Sequence, residues 1–394
     1  MKNKNEFIIL GIETSCDETA ASVVKVADTP LNYELKRMTN LQILSNVVSS
    51  QVDIHRKYGG IVPEVAARAH IERIIPVIDE ALRLANIQQP ASEIHLVAVT
   101  NGPGLITSLL VGVETAKTIA YAWQKPILSI NHLIGHIYAC FINNQLSMIN
   151  NQLFPAICLV VSGGHTELVL MKNHGQFEKI GQTLDDAAGE CFDKVAKLLG
   201  IGYPGGPAIA ERAQQSMISN QLLIIKLPRP MIKTKDYNFS FSGLKTAVLY
   251  KVKNFLTQRR GLEFQKLQKK LPQKARSEKK QFIAAICAEV QQAVIDVLIS
   301  KTIRAVRDFK AKTVILCGGV AANQELRRQL ELKVKALPKV NFLVPPKNLC
   351  TDNAAMIATA AYFQWQRLAP IKQKISKKWY TIEVNPNLEI DTRS

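Results

Sequence analysis

The sequence has no paired cysteines, no long apolar run and no leader-like segment at its start. Its seven cysteines are dispersed without a CxxC pair, which argues against a disulfide framework or a structural zinc site and favours a reducing compartment. The longest apolar runs, such as Phe154–Val161, are too short to cross a bilayer. The first six residues lead directly into a strand-like segment, without a signal-peptide core. We therefore expect a cytoplasmic protein with no membrane partner.

Three common site signatures are also missing. The chain contains neither a Walker A motif nor a GxGxxG motif, which argues against a P-loop or a Rossmann site. It does contain two histidines at helical i, i+4 spacing, His132 and His136, but Leu133 stands where zinc proteases have their catalytic Glu. The pair therefore has the spacing of a metal clamp without a hydrolytic base beside it.

Positive charge, in contrast, is abundant. The chain has 50 Lys and Arg against 32 Asp and Glu, a formal net charge of +18, which favours a polyanionic partner such as nucleic acid. Residues 257–280 carry nine Lys or Arg and only two Glu, and they predict a surface insertion. Two interpretations of it stay open, an RNA-facing arm and a merely solvated segment. Residues 368–394 are also polar and basic, and we expect them to form a tail beyond the last helix.

The apolar pattern predicts a duplicated α/β arrangement. A strand, a polar turn and a returning strand open each half of the chain: Phe7–Ile12 with Ala20–Val26, and Ala156–Val161 with Thr166–Met171. Two more strands lead into glycine turns, Leu96–Thr100 and Thr313–Cys317. Apolar residues at a spacing of about 3.6 predict long helices at 63–86, 104–123, 186–199, 281–308 and 353–367. Together these elements predict a two-lobed α/β protein.

The histidine pair suggests a metal site. Side chains at i and i+4 lie on the same face of a helix, so His132 and His136 can share one ion. Asp352, just before the predicted helix 353–367, would complete a set of two histidines and one carboxylate with open positions, which suits iron(II) or another divalent ion. The simpler alternatives are two packed histidines and an Asp that only caps its helix.

Paired glycines suggest a nucleotide site. Gly163-Gly164 and Gly318-Gly319 each follow an apolar strand, and Gly205-Gly206 follows Tyr203-Pro204. Glycine lets a ligand approach the backbone closely, and successive amide groups can form an anion-binding nest. The pattern therefore indicates a nucleotide held between two lobes. Polar residues lie near these turns and at the first hairpin: Glu13, Ser15, Asp17, Glu18, Asp185, Asp186, Glu190, Asp193 and Asn323.

Over nearly its whole length the chain resembles the bacterial type of the universal tRNA threonylcarbamoyladenosine synthase family, formerly called glycoproteases. The resemblance rests on motifs in the same order as in the family: Gly11–Thr19, Gly59–Arg68, Asn101–Leu105, Lys117–Ile137, Val161–Thr166, Asp185–Glu190, Phe192–Lys194, Tyr203–Pro207, Phe239–Lys245, Gly318–Asn323 and Cys350–Asn353. Two features depart from the family. Leu133-Ile134 replaces the Met-Glu of many bacterial members, and the basic insertion 257–280 is longer than expected.

The resemblance implies an α/β fold of the actin/Hsp70/sugar-kinase-like type, with the active site in the cleft between two lobes. We expect an N-terminal lobe at 1–140, onto which the helix 353–367 packs back, and a C-terminal lobe at 141–352.

The same matching implies the site residues. One divalent metal ion, commonly iron with zinc as the alternative, would bind His132, His136 and Asp352. An adenylate would be held by Val161, Ser162, Gly163, Gly164, His165, Asp193, Gly206 and Asn323. In that arrangement the phosphate lies near Gly163-Gly164, the ribose near Asp193, and the adenine near Gly318-Gly319 and Asn323. No motif names the general base, for which Asp17, Glu18 and His165 are the candidates.

The implied reaction transfers a threonylcarbamoyl group from L-threonylcarbamoyladenylate to N6 of adenosine 37, in the anticodon loop of tRNAs that read codons starting with A. The implied partners are a paralogous pseudo-enzyme subunit and a small P-loop ATPase. Three other functions stay open: a metalloprotease, against which the missing Glu argues, an actin-like ATPase that acts as a switch or chaperone, and a sugar kinase.

Overall fold

The computed structural model describes residues 6–390 except for 31–36, 143–152, 219–224, 258–272 and 369–378. The strands are β1 (Glu6–Glu13), β2 (Glu18–Pro30), β3 (Arg37–Ser50), β4 (Leu96–Gly102), β5 (Ile127–Asn131), β6 (Ala156–Val161), β7 (Thr166–Asn173), β8 (Gln176–Gln182), β9 (Thr313–Cys317) and β10 (Asn341–Leu343). The α-helices are α1 (Val52–Arg56), α2 (Pro63–Leu84), α3 (Pro90–Glu93), α4 (Ile106–Trp123), α5 (His132–Ala139), α6 (Ala188–Leu199), α7 (Gly205–Ile218), α8 (Ser242–Thr257), α9 (Gln273–Asp308), α10 (Gln324–Lys335) and α11 (Ala354–Arg367).

The strands form two five-stranded sheets with the same topology. The first has the order β3-β2-β1-β4-β5, and the second has the equivalent order β8-β7-β6-β9-β10. In each sheet three strands form an antiparallel meander, and two further strands run parallel to the first strand of that meander. The strand–turn–strand unit predicted at the start of each half is therefore present, and it belongs to a duplicated mixed sheet.

Helices α5 and α11 lie between the two sheets. A single apolar core joins Ile9 and Ala98 of the first sheet, Cys158 and Val169 of the second, and Ile357 of α11. A second core packs α2 and α4 on the outer face of the first sheet. A third packs α6 to α10 on the outer face of the second sheet. The protein is thus layered as helices, sheet, two helices, sheet and helices, with α5 and α11 shared by both sheets.

The predicted strands and long helices are present, but two segments differ from expectation. Helix α9 begins at Gln273, before the predicted start at 281, because the Lys, Arg, Ala and Gln residues of 273–280 favour helix. Helix α8 extends to residue 257 and α9 begins at 273, so only residues 258–272 of the insertion predicted at 257–280 lie between helices. These residues lie outside the described ones. The expected tail also differs, because Ile382 and Ile390 within it are buried against the body of the protein. Residues 369–378 lie outside the described residues.

Among the described residues, one helix is long and apolar enough to cross a membrane, judged by length and composition alone. This helix is Arg276–Asp308 of α9, and 72% of its most apolar stretch is buried inside the protein. Core helices of globular proteins pass the same test, so this helix is weak support for a membrane segment.

Gly11 of β1 allows α11 to pack against the first sheet. A Cβ at this position would overlap the carbonyl oxygen of Ala354 and would lie 3.0 Å from the amide nitrogen of Ala358. Since both atoms belong to the backbone, neither can rotate away.

We expect Gly11→Ala to lower the free energy of unfolding by about 1–3 kcal/mol, measured by chemical denaturation. The control is Gly243→Ala in α8, where a Cβ meets no atom within 4 Å and helix propensity favours Ala by roughly 0.5–1 kcal/mol. Equal stability of Gly11→Ala and the parent would contradict this packing.

Candidate metal centre and glycine turns

Parallel strands bring the first part of the site together. β1, β4 and β5 run parallel, so their carboxyl ends meet at one edge of the first sheet, where ligands commonly bind in open α/β sheets. β1 ends at Glu13 and β5 ends at Asn131, directly before His132. The side chain of Asn131 accepts hydrogen bonds from the amides of Leu133 and Ile134 and so caps α5. Helix α5 therefore starts at this edge, with His132 in its first turn.

His132, His136 and Asp352 converge on one point. The Nε2 atom of His136 lies 3.1 Å from Oδ1 of Asp352, and Nε2 of His132 lies 3.5 Å from the same oxygen. One donor atom from each of the three residues lies within 4.8 Å of the other two. The two imidazole rings stand nearly perpendicular, at 82°, with their centroids 4.7 Å apart. The structure thus brings together the three residues that the sequence predicted to be metal ligands.

Glu13 orients His132, a role that was not predicted from the sequence. Nδ1 of His132 lies 3.0 Å from Oε2 of Glu13, and it also lies 3.1 Å from the hydroxyl of Ser15. Glu13 is fully buried and accepts further hydrogen bonds of 2.6 Å from the Thr100 hydroxyl and the Ser15 amide. Burial alone would raise the pKa of Glu13, but the charge of His132 and the hydrogen bonds with His132 and Thr100 together outweigh it and lower that pKa. Nδ1–H of His132 therefore points to Glu13, which leaves Nε2 to face Asp352.

This arrangement fits a divalent transition metal ion. Two imidazoles and one carboxylate form the donor set, and a carboxylate behind a ligating histidine is a common outer-shell partner. His136 differs from His132, because its Nδ1 is buried with no hydrogen-bond partner among the described residues. His132 is thus the ligand whose orientation is fixed by the surrounding protein, while His136 is held by its helix and by packing.

Before an ion binds, the site holds a proton. Burial lowers the pKa of His132, but the charges of Asp352 and Glu13 outweigh it and raise that pKa to about 9. Burial raises the pKa of Asp352, but His132 and His136 outweigh it and bring that pKa to about 2. At neutral pH an imidazolium therefore lies beside two carboxylates, and a metal ion would have to displace the proton of His132.

The first glycine turn of the second sheet lies near this centre. The β6–β7 turn is closed by a hydrogen bond of 2.8 Å from the Ser162 amide to the His165 carbonyl oxygen. A Cβ built on Gly163 or Gly164 would meet no atom within 4 Å, so both residues border open space. Burial, together with the charges of His132 and His136, lowers the pKa of His165 to about 4. His165 is therefore neutral at pH 7, and it lies close enough to His132 and His136 for their charges to lower its pKa.

Other glycines at this edge are needed for packing. A Cβ on Gly189 at the start of α6 would lie 2.5 Å from the Ser162 carbonyl oxygen and 2.8 Å from Cα of Gly163. A Cβ on Gly318, whose φ is +91°, would overlap the carbonyl oxygen of Val161. These close approaches hold the β6–β7 turn against α6 and against the end of β9. Strands β6 and β9 run parallel, so the glycine turns that follow them lie at the same edge of the second sheet.

The remaining adenylate candidates lie around these turns. Asp193 accepts a hydrogen bond of 2.6 Å from the Gly205 amide at the start of α7, and burial raises its pKa. A Cβ on Gly206 would make only an ordinary contact of 3.9 Å with the ring of Phe192. Val161 is fully buried, and its carbonyl oxygen lies against Gly318. Asn323 caps α10 and donates a hydrogen bond of 2.8 Å to Gln291.

The candidate bases of the first lobe, Asp17 and Glu18, lie close enough to Asp193 and Asp352 for their charges to interact. Burial, then the charges of Asp352 and Asp17, raises the pKa of Glu18 well above its ordinary value. The charge of Asp17 also raises the pKa of Asp193, so the first hairpin faces the second lobe. His70 of α2 supports this hairpin, because its ring contacts the Thr19 hydroxyl at 2.8 Å and the Cys16 carbonyl oxygen at 3.0 Å. No local sequence signal links His70 to this hairpin, from which it is separated by β3 and α1.

Comparison with known proteins gives one consistent family. Residues 42–359 match the family model described as "TsaD: tRNA N6-adenosine threonylcarbamoyltransferase". A relative with that enzyme name from Thermomicrobium roseum is 48% identical over 367 residues, covering 91% of this chain and 92% of the relative. Another from Bacillus subtilis strain 168 is 44% identical over 369 residues and covers 93% of each chain. These comparisons favour neither the metalloprotease nor the ATPase alternative.

Solved structures show the same fold at low identity. Full-length HypF in its phosphate- and nucleotide-bound form is similar with a TM-score of 0.51 and 13% identity, over 93% of this chain and 56% of HypF. HypF from T. kodakarensis gives a TM-score of 0.50 at 13% identity, over 92% of this chain and 48% of HypF. The chain thus spans about half the length of these proteins, and the likeness concerns the fold alone. It confirms the predicted two-lobed α/β fold.

The raised pKa of His132 predicts that metal binding releases a proton. Because an ion binds the neutral imidazole, we expect Zn²⁺ affinity to rise about tenfold per pH unit toward pH 9 and then to level off. Titration calorimetry at pH 7.5 in two buffers of different ionisation enthalpy should give about one proton released per ion. His132→Gln should bind more weakly and release fewer protons. Binding without proton release in the parent would contradict the assignment.

Proposed function

The chain belongs to the tRNA N6-adenosine threonylcarbamoyltransferase family, and on that premise we propose that it transfers a threonylcarbamoyl group from L-threonylcarbamoyladenylate to tRNA. The acceptor is N6 of adenosine 37 in tRNAs that read codons starting with A, and AMP is released. The observation that carries this proposal is that the donors of His132, His136 and Asp352 converge and that their charges act on His165, which ends the open turn at Gly163-Gly164. These residues are therefore suited to hold a metal ion beside an anionic group.

We propose that His132, His136 and Asp352 hold one divalent ion, and that this ion is iron, with zinc as the alternative. Two histidines and one carboxylate with open positions suit iron(II). When bound, such an ion acts as a Lewis acid toward the carbamoyl carbonyl or the phosphate. Glu13 would keep Nε2 of His132 directed toward the ion by accepting the hydrogen bond of Nδ1–H.

We propose that the second lobe holds the adenylate. The phosphate would lie at the amides of the turn 162–165, where Gly163 and Gly164 leave room for it. The ribose would lie near Asp193 and Gly206 at the start of α7, where Asp193 already holds the Gly205 amide. The adenine would lie at Gly318-Gly319, with Asn323 supporting that turn from the cap of α10.

In the reaction, N6 of the adenosine attacks the carbamoyl carbon, and the bond from that carbon to the phosphate oxygen of AMP breaks. AMP is a good leaving group, so the protein mainly positions the reactants and stabilises charge. A base must take the proton from N6. Glu18 and His165 face the metal ligands closely enough for their pKa values to be shifted by them, and with Asp17 they are the candidates.

The proposed partners are a paralogous pseudo-enzyme subunit and a small P-loop ATPase, and the proposed location is the cytoplasm. An exposed apolar face supports a protein partner. Ile71 and Ile75 on α2 are 65% and 60% exposed, and Ile106 and Leu110 on α4 are 51% and 42% exposed. Because α2 and α4 pack side by side, these pairs one turn apart can form a continuous docking surface, which we assign to the paralogous subunit.

The activity is tested by mass analysis of tRNA nucleosides. The chain is incubated with unmodified tRNA, threonine, bicarbonate, ATP, the upstream synthase and its proposed partners. We expect threonylcarbamoyladenosine in the digest, and a loss of about 100-fold or more in His132→Ala and Asp352→Ala, since both remove a group that polarises the reacting atoms. Asp53→Ala, at an exposed position on α1, is the matched control. Full activity of His132→Ala, or no product from the parent, would contradict the proposal.

The phosphate site is tested at Gly163. A Cβ there meets no protein atom within 4 Å, so we expect Gly163→Val to fold and to fail only where the ligand must approach. We expect the affinity for a non-hydrolysable threonylcarbamoyladenylate analogue to fall about 10-fold or more, because the branched side chain occupies the space of the phosphate. Zn²⁺ affinity, measured in parallel, should not change. Unchanged analogue affinity in the folded variant would place the phosphate elsewhere.

The basic segment is tested by salt dependence. Helix α9 starts at Gln273, so we replace only Arg259, Arg260, Lys269 and Lys270 by Ser and leave the helix intact. If these cations contact about two phosphates, the slope of log K for tRNA against log salt should flatten by roughly 1–2 units. The control replaces four exposed cations elsewhere, Arg83, Lys172, Lys333 and Lys335. An unchanged slope would identify the segment as a solvated insertion.

A further inference from the structure

The C-terminal segment 379–390 lies against the body of the protein and is held at both ends. It begins with a 3-10 turn at Trp379–Thr381. Ile382 is 8% exposed and belongs to the core on the outer face of the first sheet. Ile390 is 1% exposed and belongs to the core between the sheets. The segment therefore passes from one face of the first sheet to the other.

Between these two anchors the segment follows the loop after β4. The amide of Asn385 donates a hydrogen bond of 2.8 Å to the Asn101 carbonyl oxygen, and the Gly104 amide donates one of 3.1 Å to the Pro386 carbonyl oxygen. A Cβ on Gly102 would overlap the Asn385 carbonyl oxygen, so the contact needs glycine there. The same loop supports the metal centre from the other side, because the Leu105 amide donates a hydrogen bond of 2.8 Å to the Ser15 carbonyl oxygen.

Asn131 joins this segment to the metal-binding helix. Its Nδ2 donates to the carbonyl oxygens of Leu388 at 3.4 Å and Glu389 at 3.3 Å. Its Oδ1 accepts hydrogen bonds from the first amides of α5. One side chain, only 8% exposed, thus caps the helix with its oxygen and holds the C-terminal segment with its nitrogen. His132 is the next residue in the chain.

The segment also reaches the second lobe. The carboxylate of Glu389 lies 3.3 Å from Nζ of Lys179 on β8, and the side chain of Lys179 is only 15% exposed. The peptide groups that hold Asn131 are therefore themselves tied to both sheets. A shift of the segment would move the cap of α5, and with it the direction of the His132 ring.

We propose that Asn131 is a positioning residue for the metal centre, and that it acts by fixing the start of α5 to the C-terminal segment 379–390. This inference rests on the metal site of the proposed function and adds a determinant of metal affinity outside the ligand set. Partners that orient metal ligands typically contribute 10–100-fold to metal affinity, and Asn131 orients the helix that carries two of the three ligands.

The test compares Zn²⁺ affinity, measured by competition with a chromophoric chelator, in the full chain and in Asn131→Asp. Aspartate caps helices as well as asparagine does, but it cannot donate to the carbonyl oxygens of residues 388 and 389 and repels them. We expect about a 10-fold loss of Zn²⁺ affinity with little change in thermal stability. Asn387→Asp makes the same chemical change at an exposed position of the segment, and it should keep the parent affinity.

A truncated chain that ends at residue 378 shows whether Asn131 acts through the segment. We expect the truncation to lower Zn²⁺ affinity at least as much as Asn131→Asp does. Adding Asn131→Asp to the truncated chain should lower its Zn²⁺ affinity no further. If the truncated chain fails to fold, the Asn131→Asp and Asn387→Asp pair decides. Parent-like Zn²⁺ affinity in folded Asn131→Asp overturns this proposal and leaves the metal site standing. A parent chain that binds no Zn²⁺ overturns both.

Discussion

The packing of α5 and α11 between the two sheets is the constraint on which the candidate site depends. His132 and His136 belong to α5, and Asp352 lies two residues before α11, so the distance between these helices sets the distance between the ligands. Gly135, between the two histidines, has no side chain, and a Cβ there would lie 2.8 Å from Cδ1 of Ile357 in α11. The close approach of the two helices is therefore part of the architecture of the metal centre, and both sheets hold it from outside.

The electrostatics of the centre follow from the same packing. Glu13 is fully buried, and His132 and Asp352 are mostly buried with it, so each charge needs a partner to offset its loss of hydration. The proton on His132 supplies that partner for both carboxylates before an ion binds. A divalent ion bound at the proposed site could take over this role, since it would neutralise Asp352 directly and Glu13 through the imidazole. The network is therefore suited to exchange one proton for one ion without leaving a buried charge unpaired.

Much of the fold and site could be predicted because the signals were local. The spacing of His132 and His136 indicated a shared helix face. Glycine pairs after apolar strands marked the turns that follow β6 and β9. Residues that act through distant contacts carried no such signal. Glu13 reaches His132 only because β1 and β5 end at the same edge of the sheet, with β4 between them. The start of α9 was missed because charged residues that favour helix also resemble a solvated insertion. The return of residues 379–390 to the body could not be predicted from two isolated isoleucines.

The account depends most on the geometry of one ion between two imidazoles and one carboxylate. A crystal of the chain loaded with Zn²⁺, measured at the zinc absorption edge, tests it directly through anomalous difference density. The account predicts one peak at about 2.0–2.2 Å from Nε2 of His132, Nε2 of His136 and one oxygen of Asp352, with Nδ1 of His132 still hydrogen-bonded to Glu13. A peak at other residues, or an ion bound through Nδ1 of His132, would contradict it.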